Sequence, residues 1–580
     1  MVFCVRADIM TGQRKGPENV NIIGIGGFSH DSAAALVVDG QLKAAVAEER
    51  LTRVKHQGGV PRRAVAWCLE EAGLTPEDIG HIGCYMRPGL RLGRRLPYRL
   101  GKMLRSPFYS AGFMAYELFH NAEYVYGMRS LGGKGTRVHF LEHHPAHAAS
   151  AFLVSPYERA ALLTIDYIGE WTATWTGVGE GTRIRRLRQA RYPNSLGVFY
   201  SAITDYLGFL RASDEYKVMG LASYGEPEYC DDFARLVQVR PDGWYDIDLS
   251  WAAWHYVPGS RRGYFAQKFL DRYGPPRKKG EPIEARHRNL AASAQRILEE
   301  AVLSLARTLH RGTGLDDLCM AGGVALNCAM NGRLLREGPF KRIFVQPASG
   351  DDGIAIGAAF QLHHAVTGAP RAFEMNNAYL GPAHSNETIR SFLQMAKLSF
   401  EEPVDVIERA ADLLSDGKIV AWFQGRMEFG PRALGARSIL ADPTRPEMKD
   451  LLNTYVKHRE DFRPFAPAVL EERAAEFFPG CKRSPFMLFV YPVAPEKQAL
   501  VPAVTHVDGT ARVQTVSRQS HARFHALIEA FERRRGVPVV LNTSFNVMGE
   551  PIVNTPEDAV RCFYATGIDA LVLGDFVLTK

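Results

Sequence analysis

NIIGIGGFSHDSAAALVVDGQLKAAVAEERLTR, residues 21–53, reads as an apolar strand, a glycine turn at Gly26–Gly27, a second strand of small residues, an Asp39–Gly40 hairpin turn and a third strand. Residues 160–190, AALLTIDYIGEWTATWTGVGEGTRIRRLRQA, repeat that plan: strand, acidic and glycine-bearing turn, strand, glycine turn, strand. A plan met twice is the trace that two ribonuclease-H-like halves leave, so the expected fold is α/β with a duplicated actin-like (ASKHA-type) domain. In such a fold the first hairpin of each half faces a shared cleft. Ser29, His30 and Asp31 then occupy one turn and Asp166 the other.

Between the two halves lies LEHHPAHAASAF, a helical run of small and apolar residues. His143 and His147 stand four apart and project from one face of it, whereas His144 points elsewhere. The strand ALLTID brings Asp166 to its end, and two imidazoles with a carboxylate form a ligand set for iron, zinc or manganese. A fourth carboxylate comes from the turn in IFVQPASGDDGIAIGAA. Asp351 is the favoured ligand and Asp352 the favoured helix cap, with the two roles interchangeable on sequence alone. LCMAGGVALN places Gly322 and Gly323 in a strand-to-helix turn, where backbone N–H groups approach an anion.

After a Gly-, Pro- and Asn-rich break near residues 370–400 the texture changes. Arg426, Arg432 and Arg437, then Lys457, Arg459 and Arg463, then Arg512 and Arg518, sit beside Gly, Pro and Phe rather than in helical stripes with Glu partners. Planar donors in loops suit a phosphate or carboxylate, so an anion pocket is expected there.

The 580 residues exceed what one core serves, which points to several units. A chain 46% hydrophobic and 23% charged, with no long apolar run, is neither disordered nor membrane-spanning, and a cytoplasmic protein is expected. Eight cysteines without a C-x-x-C pair exclude a zinc ribbon or a disulfide framework. A net charge of +7 argues for anionic ligands over a nucleic-acid coat. Arg91, Arg95, Arg99 and Lys102 share one helical stripe, read as a solvated face.

With these motifs in hand the chain resembles the O-carbamoyltransferases of the nodulation-factor and antibiotic-biosynthesis type. The resemblance covers nearly everything after residue 20. It rests jointly on FSHDSAAALVVDG, AEERLTRVKH, HHPAHAASAF, TIDYIGEW, KVMGLASYG, GGVALN, GDDGIAIGAA, GPRALGARSIL, VKHREDFRPFAP and LNTSFN. It implies an extension over 1–20, an actin-like carbamoyl-transfer domain over 21–375, a linker over 376–400 and an α/β YrdC-like domain over 401–580 that forms carbamoyl-adenylate. Carried over residue by residue, it makes His143, His147, Asp166 and Asp351 ligands of a divalent metal, usually iron, and His30 the catalytic residue. Gly322, Gly323 and Asn327 fall to nucleotide binding, while Arg432, Lys457, Arg463, Arg512, Ser544 and Asn546 fall to carbamoyl phosphate and ATP. The implied substrates are carbamoyl phosphate, ATP with Mg2+, and a hydroxyl-bearing sugar or natural product, with a homodimer as the assembly. Acceptor contacts are expected from residues 85–130 and from the loop between Tyr206 and Lys217; Phe108, Tyr109, Phe113, Phe119 and Tyr124 suit a bulky, partly apolar acceptor, and a packed helix face explains them equally well. Two other classes compete: a tRNA threonylcarbamoyl-type enzyme, and an actin-like kinase or ATPase.

Overall fold

The computed structural model describes residues 20–90, 119–254 and 263–580. The extension, the Arg91–Lys102 stripe and Phe108, Tyr109 and Phe113 lie outside these residues.

The duplication is present in the topology. Strands β1 (Asn21–Gly26), β2 (Ala33–Val38) and β3 (Gln41–Ala47) form an antiparallel meander, and β4 (His81–Cys84) and β5 (Arg137–Phe140) extend it in parallel from β1. The second half repeats this with β6 (Arg159–Gly169), β7 (Thr172–Glu180) and β8 (Arg183–Arg191) as the meander. After a small hairpin of β9 (Val237–Val239) and β10 (Tyr245–Ile247), β11 (Asp317–Ala321) and β12 (Arg342–Val345) complete the sheet. The sheet orders, β3-β2-β1-β4-β5 and β8-β7-β6-β11-β12, coincide position for position. Asp39 and Gly40 both take positive φ, as a tight hairpin between right-twisted strands requires.

Two helices cross between these sheets. Helix α1 (His143–Phe152) follows β5 but packs on β6 and β11 of the other half. Among the other helices, α2 (Leu196–Tyr206) and the long α3 (Ala285–Thr313) cover the second sheet, and α4 (Cys328–Glu337) follows β11. Helix α5 (Ile354–Thr367) follows β12 and packs back on β1 and β2. Where α1 and α5 touch, a Cβ on Gly357 would stand 1.9 Å from the Ala146 carbonyl oxygen, so only glycine permits the contact. That approach brings the Asp351 turn, just before α5, against the first turn of α1.

The C-terminal unit is a seven-stranded mixed sheet, β18-β15-β19-β14-β13-β20-β21. Its strands are β13 (Val420–Phe423), β14 (Arg437–Ala441), β15 (Ala466–Leu470), β18 (Gln514–Val516), β19 (Val539–Ser544), β20 (Ala570–Leu573) and β21 (Phe576–Thr579). A short pair, β16 (Val490–Pro492) and β17 (Thr510–Arg512), stands beside it. Stretch 376–400, expected as a linker, instead carries helix α6 (Asn386–Met395), whose Ile389 and Leu393 enter the core of this unit. Helices α7 (Val406–Ser415) and α8 (Ala522–Arg535) cover the opposite face. Both faces of the sheet are therefore buried, which is why β13 reads VAWF without alternation: Val420 and Trp422 face one core, Ala421 and Phe423 the other.

The two units close on each other through polar bonds. Arg53 donates to the Ile552 and Pro551 carbonyls at 2.6 and 2.9 Å and pairs with Asp558 at 3.2 Å. Lys217 meets Glu460 at 3.0 Å, and Asn331 donates to the Leu488 carbonyl at 2.9 Å. Between them lies a cavity of about 1040 Å³ lined by both units. Among the described residues no helix is long and apolar enough to cross a membrane.

Candidate active site

On the N-terminal wall of the cavity, His143 and His147 lie one helical turn apart, each with Nε2 3.0 Å from Asp166 Oδ2. Asp351 Oδ1 stands 3.7 and 3.6 Å from the same two nitrogens. The ligand atoms of the four residues all fall within 4.8 Å of one another. A register shift in β6 between Ile165 and Gly169 frees Asp166 from the ladder. The Tyr167 and Gly323 N–H groups then hold its Oδ1 at 2.8 and 3.2 Å, leaving Oδ2 for the imidazoles. Burial works against charge here. Even so, hydrogen bonds from both histidines hold the Asp166 carboxyl well below the usual carboxylate range, and the facing carboxylates push His147 up to about 9. Two imidazole nitrogens with two carboxylate oxygens fit a divalent first-row metal, whose binding would displace the His147 proton. His144 serves packing: its ring nitrogens meet Thr164 Oγ1 and the Thr172 carbonyl at 2.7 and 3.0 Å.

His30 lines the same wall. Its Nδ1 stands 3.0 Å from Asp31 Oδ2, and the other oxygen of Asp31 lies 2.8 Å from His56 Nδ1. Desolvation opposes charging of His30, but the Asp31 hydrogen bond and the fields of Asp351, Asp31 and Asp166 prevail and raise it to about 10. A cation held by Asp166 and Asp351 cancels those two contributions and leaves Asp31.

The facing wall is cationic. Lys457 is buried and donates to the Asn546 carbonyl and Oδ1, both at 2.9 Å, to Ser544 Oγ at 3.2 Å and to the Ser544 carbonyl. All four acceptors are neutral. Burial, reinforced by Arg459, holds the Lys457 ammonium well below its usual range. Burial and the adjacent Arg512 bring Arg432 down to about 9, and burial and Arg463 lower Arg459. The Nε atoms of Arg432 and Arg512 are buried and find no acceptor among the described residues. Arg463 stacks 4.6 Å over Tyr216 and reaches Glu460 at 3.7 Å, but that carboxylate is already engaged by Lys217. Positive charge thus exceeds its protein partners, and buried donors lack acceptors, so the wall is built for a polyanion.

The family model described as the carbamoyltransferase N-terminus matches residues 21–360, and that of the carbamoyltransferase C-terminus matches 411–580. The chain belongs to the carbamoyltransferase family. This carbamoyltransferase is 42% identical over 95% of its length to nodulation protein NolNO of Sinorhizobium fredii, covering 79% of that protein. It is 27% identical to the 3'-hydroxymethylcephem-O-carbamoyltransferase of Amycolatopsis lactamdurans, over 94% of this chain and 97% of that one. Solved structures align loosely: component A of the Acidaminococcus fermentans (R)-2-hydroxyglutaryl-CoA dehydratase matches 60% of this chain and 99% of its own, with 16% identity and a TM-score of 0.34. A likeness that loose adds nothing to the topology.

In this carbamoyltransferase the residues marked from sequence gather in one cavity: His30, His143, Asp166, Asp351, Gly323 and Asn327 on one side, Arg432, Lys457, Arg463, Arg512, Ser544 and Asn546 on the other. His147 stands behind them with Asp166 and Asp351, and Gly322 takes φ 92° to pass close to the Ile165 carbonyl. Asn327 is occupied locally, capping α4 through the Met330 N–H and exchanging two hydrogen bonds with Gln295. Asp352 stays outside the four-ligand cluster.

Three arginines marked by their loop setting go elsewhere. Arg437 is fully buried, stacks 3.6 Å from Phe423 and donates to the carbonyls of Gln424, Gly425 and Pro382. Arg426 ties the Leu380 and Lys43 carbonyls together, and Arg518 pairs with Glu529 at the surface. Tyr124 follows the packed-face reading: it is a core residue with its hydroxyl on the Met86 N–H. Residues 211–213 of the Tyr206–Lys217 loop do line the cavity. Arg459, marked by its loop setting, does line the cavity, whereas Lys55 and His56 were missed as wall residues. The signal was the charged run EERLTRVKH directly after a buried strand.

Proposed function

We propose that this carbamoyltransferase activates its carbamoyl group as an adenylate on the cationic wall and transfers it to an acceptor hydroxyl on the metal-binding wall. The supporting observation is the pairing itself: an under-neutralised cation cluster and a four-ligand metal cluster face each other across one cavity. The mixed α/β sheet of the C-terminal unit, with Ser544 and Asn546 at the end of β19 and just beyond it, is compatible with a YrdC-like adenylate-forming domain.

In the first step water converts carbamoyl phosphate to carbamate and inorganic phosphate. A carbamate oxygen then attacks the α-phosphorus of Mg2+-bound ATP, forming carbamoyl-adenylate and releasing pyrophosphate. Arg432, Lys457, Arg459, Arg463 and Arg512 neutralise phosphate charge as it builds, which in a dry site is the largest catalytic contribution. In the second step the acceptor oxygen bonds to the carbamoyl carbon, the carbon–oxygen bond to AMP breaks, and the acceptor proton leaves. His143, His147, Asp166 and Asp351 would hold a divalent metal, which would supply fixed positive charge to the site. His30 takes the hydroxyl proton through Nε2 when neutral, or holds the tetrahedral oxyanion when charged.

The test is incubation with ATP and carbamoyl phosphate without acceptor, resolving nucleotides and pyrophosphate by chromatography. Pyrophosphate that depends on carbamoyl phosphate is expected. ADP as the sole product, or turnover indifferent to carbamoyl phosphate, overturns the adenylate mechanism.

A further inference from the structure

We infer that His56, acting through Asp31, is a positioning residue for carbamoyl transfer that fixes the His30 ring so that its Nε2 is presented to the cavity. The inference rests on the proposed role of His30.

One carboxylate binds two imidazoles, each through Nδ1, and His56 Nε2 continues the chain to Ser213 Oγ at 2.8 Å. An ionised carboxylate only accepts, so both Nδ1 atoms carry the proton. His30 therefore turns the same nitrogen to the cavity whether the ring is charged or neutral, and Nε2 meets no acceptor or donor among the described residues.

The backbone is shaped for this chain. Asp31 and His56 are both non-glycine residues in the left-handed region, at φ 52° and 56°. That conformation is uncommon outside glycine, although Asp and His adopt it more readily than most residues. The two turns are zipped together by Ser32 N–H to the Gln57 carbonyl at 2.8 Å and Gly59 N–H to the Phe28 carbonyl at 2.7 Å. Ser32 Oγ adds a bond to the Gly59 carbonyl at 2.7 Å. A surface ion pair explains neither the matched turns nor Ser213, which arrives from a loop 157 residues along the chain. Asp31, Glu49 and His56 also come close enough to grip a cation, and the experiment separates that reading.

The full-length enzyme is compared as wild type, His30→Ala, His56→Ala, His56→Asn and His30→Ala/His56→Ala, with water as the acceptor probe. Asparagine keeps a donor near the Nδ1 position. Pyrophosphate release reports the first step, AMP release the second, and metal content and the His30 Nδ1–H proton resonance are read alongside. His56→Ala should lower AMP release by about 10–100-fold, the range for residues that orient a functional histidine, with pyrophosphate release within about twofold. His56→Asn should recover most of the loss, and the double variant should be no worse than His30→Ala. The proton resonance, assigned by its loss in His30→Ala, should persist in the Asn variant and vanish in His56→Ala.

Wild-type AMP release by His56→Ala with the resonance retained overturns the inference while leaving His30 in place. So does a matched loss of metal, which returns His56 to a cation site. Undiminished AMP release by His30→Ala overturns instead the reading beneath it.

Discussion

The two walls of the cavity solve opposite electrostatic problems. On the metal-binding wall, two imidazoles face two carboxylates at 3.0–3.7 Å, so the cluster balances its own charge whether protons or a cation occupy it. On the cationic wall, five basic side chains share little beyond Glu460, and two guanidinium Nε atoms stay buried without an acceptor. The first wall is complete within the protein. The second is complete only with an anion, so the free protein bears the repulsion that the ligand later relieves.

The sharpest way to break this comparison is to remove one cation. Lys457→Ala should lower carbamoyl-phosphate-dependent pyrophosphate release by about 100–1000-fold, the usual consequence of losing a buried donor to developing phosphate charge. Metal content measured by elemental analysis should not change, and coupled loss of both would mean the walls are not separate. Next in size, Asp166→Asn should strip the metal and slow AMP release by about 100-fold while pyrophosphate release stays within about twofold.

The third effect is in stability. Inorganic pyrophosphate should raise the melting temperature of the wild type. Arg512→Met should raise it by about 1–2 °C without anion and shrink the increment with it, by removing a charge that burial penalises. A melting temperature that falls in anion-free Arg512→Met would show that the cluster is not under-neutralised.

The smallest effect is in pH, where the walls should slope in opposite directions. In metal-free protein the raised pKa of His30 gives stability that is present below its unfolded value near 6.5 and lost as pH climbs toward about 10. The depressed pKa values of Lys457 and Arg432 do the reverse: their penalty is full at neutral pH and fades as pH rises through about 9, the folded value of Arg432, toward their unfolded values. Melting curves against pH should therefore flatten in one direction for His30→Ala and in the other for Lys457→Ala.

The metal-binding wall was largely legible in the sequence because its geometry is local. Four-residue spacing puts His143 and His147 on one helical face, and an apolar strand ends at Asp166. The duplicated sheet was legible for the same reason, through strand patterns that repeat. The cationic wall was legible in kind but not in membership. A loop arginine reads alike whether it faces a cavity, as Arg432 does, or stacks on Phe423 and binds carbonyls, as Arg437 does. That difference is made by tertiary packing. The run EERLTRVKH could mark His56 as a wall residue but not its pairing with Asp31, because that needs two left-handed turns, at Asp31 and His56, to meet. No hydrophobic period reports such a meeting. Stretch 376–400 misled through composition: its Gly, Pro and Asn content hid the two apolar residues, Ile389 and Leu393, that anchor α6.

A cavity lined by both units has a consequence in terms of supply. On the two-step reading proposed above, what is formed at one wall can reach the other within the space the units share, so its concentration outside matters less than those of the starting materials and the acceptor.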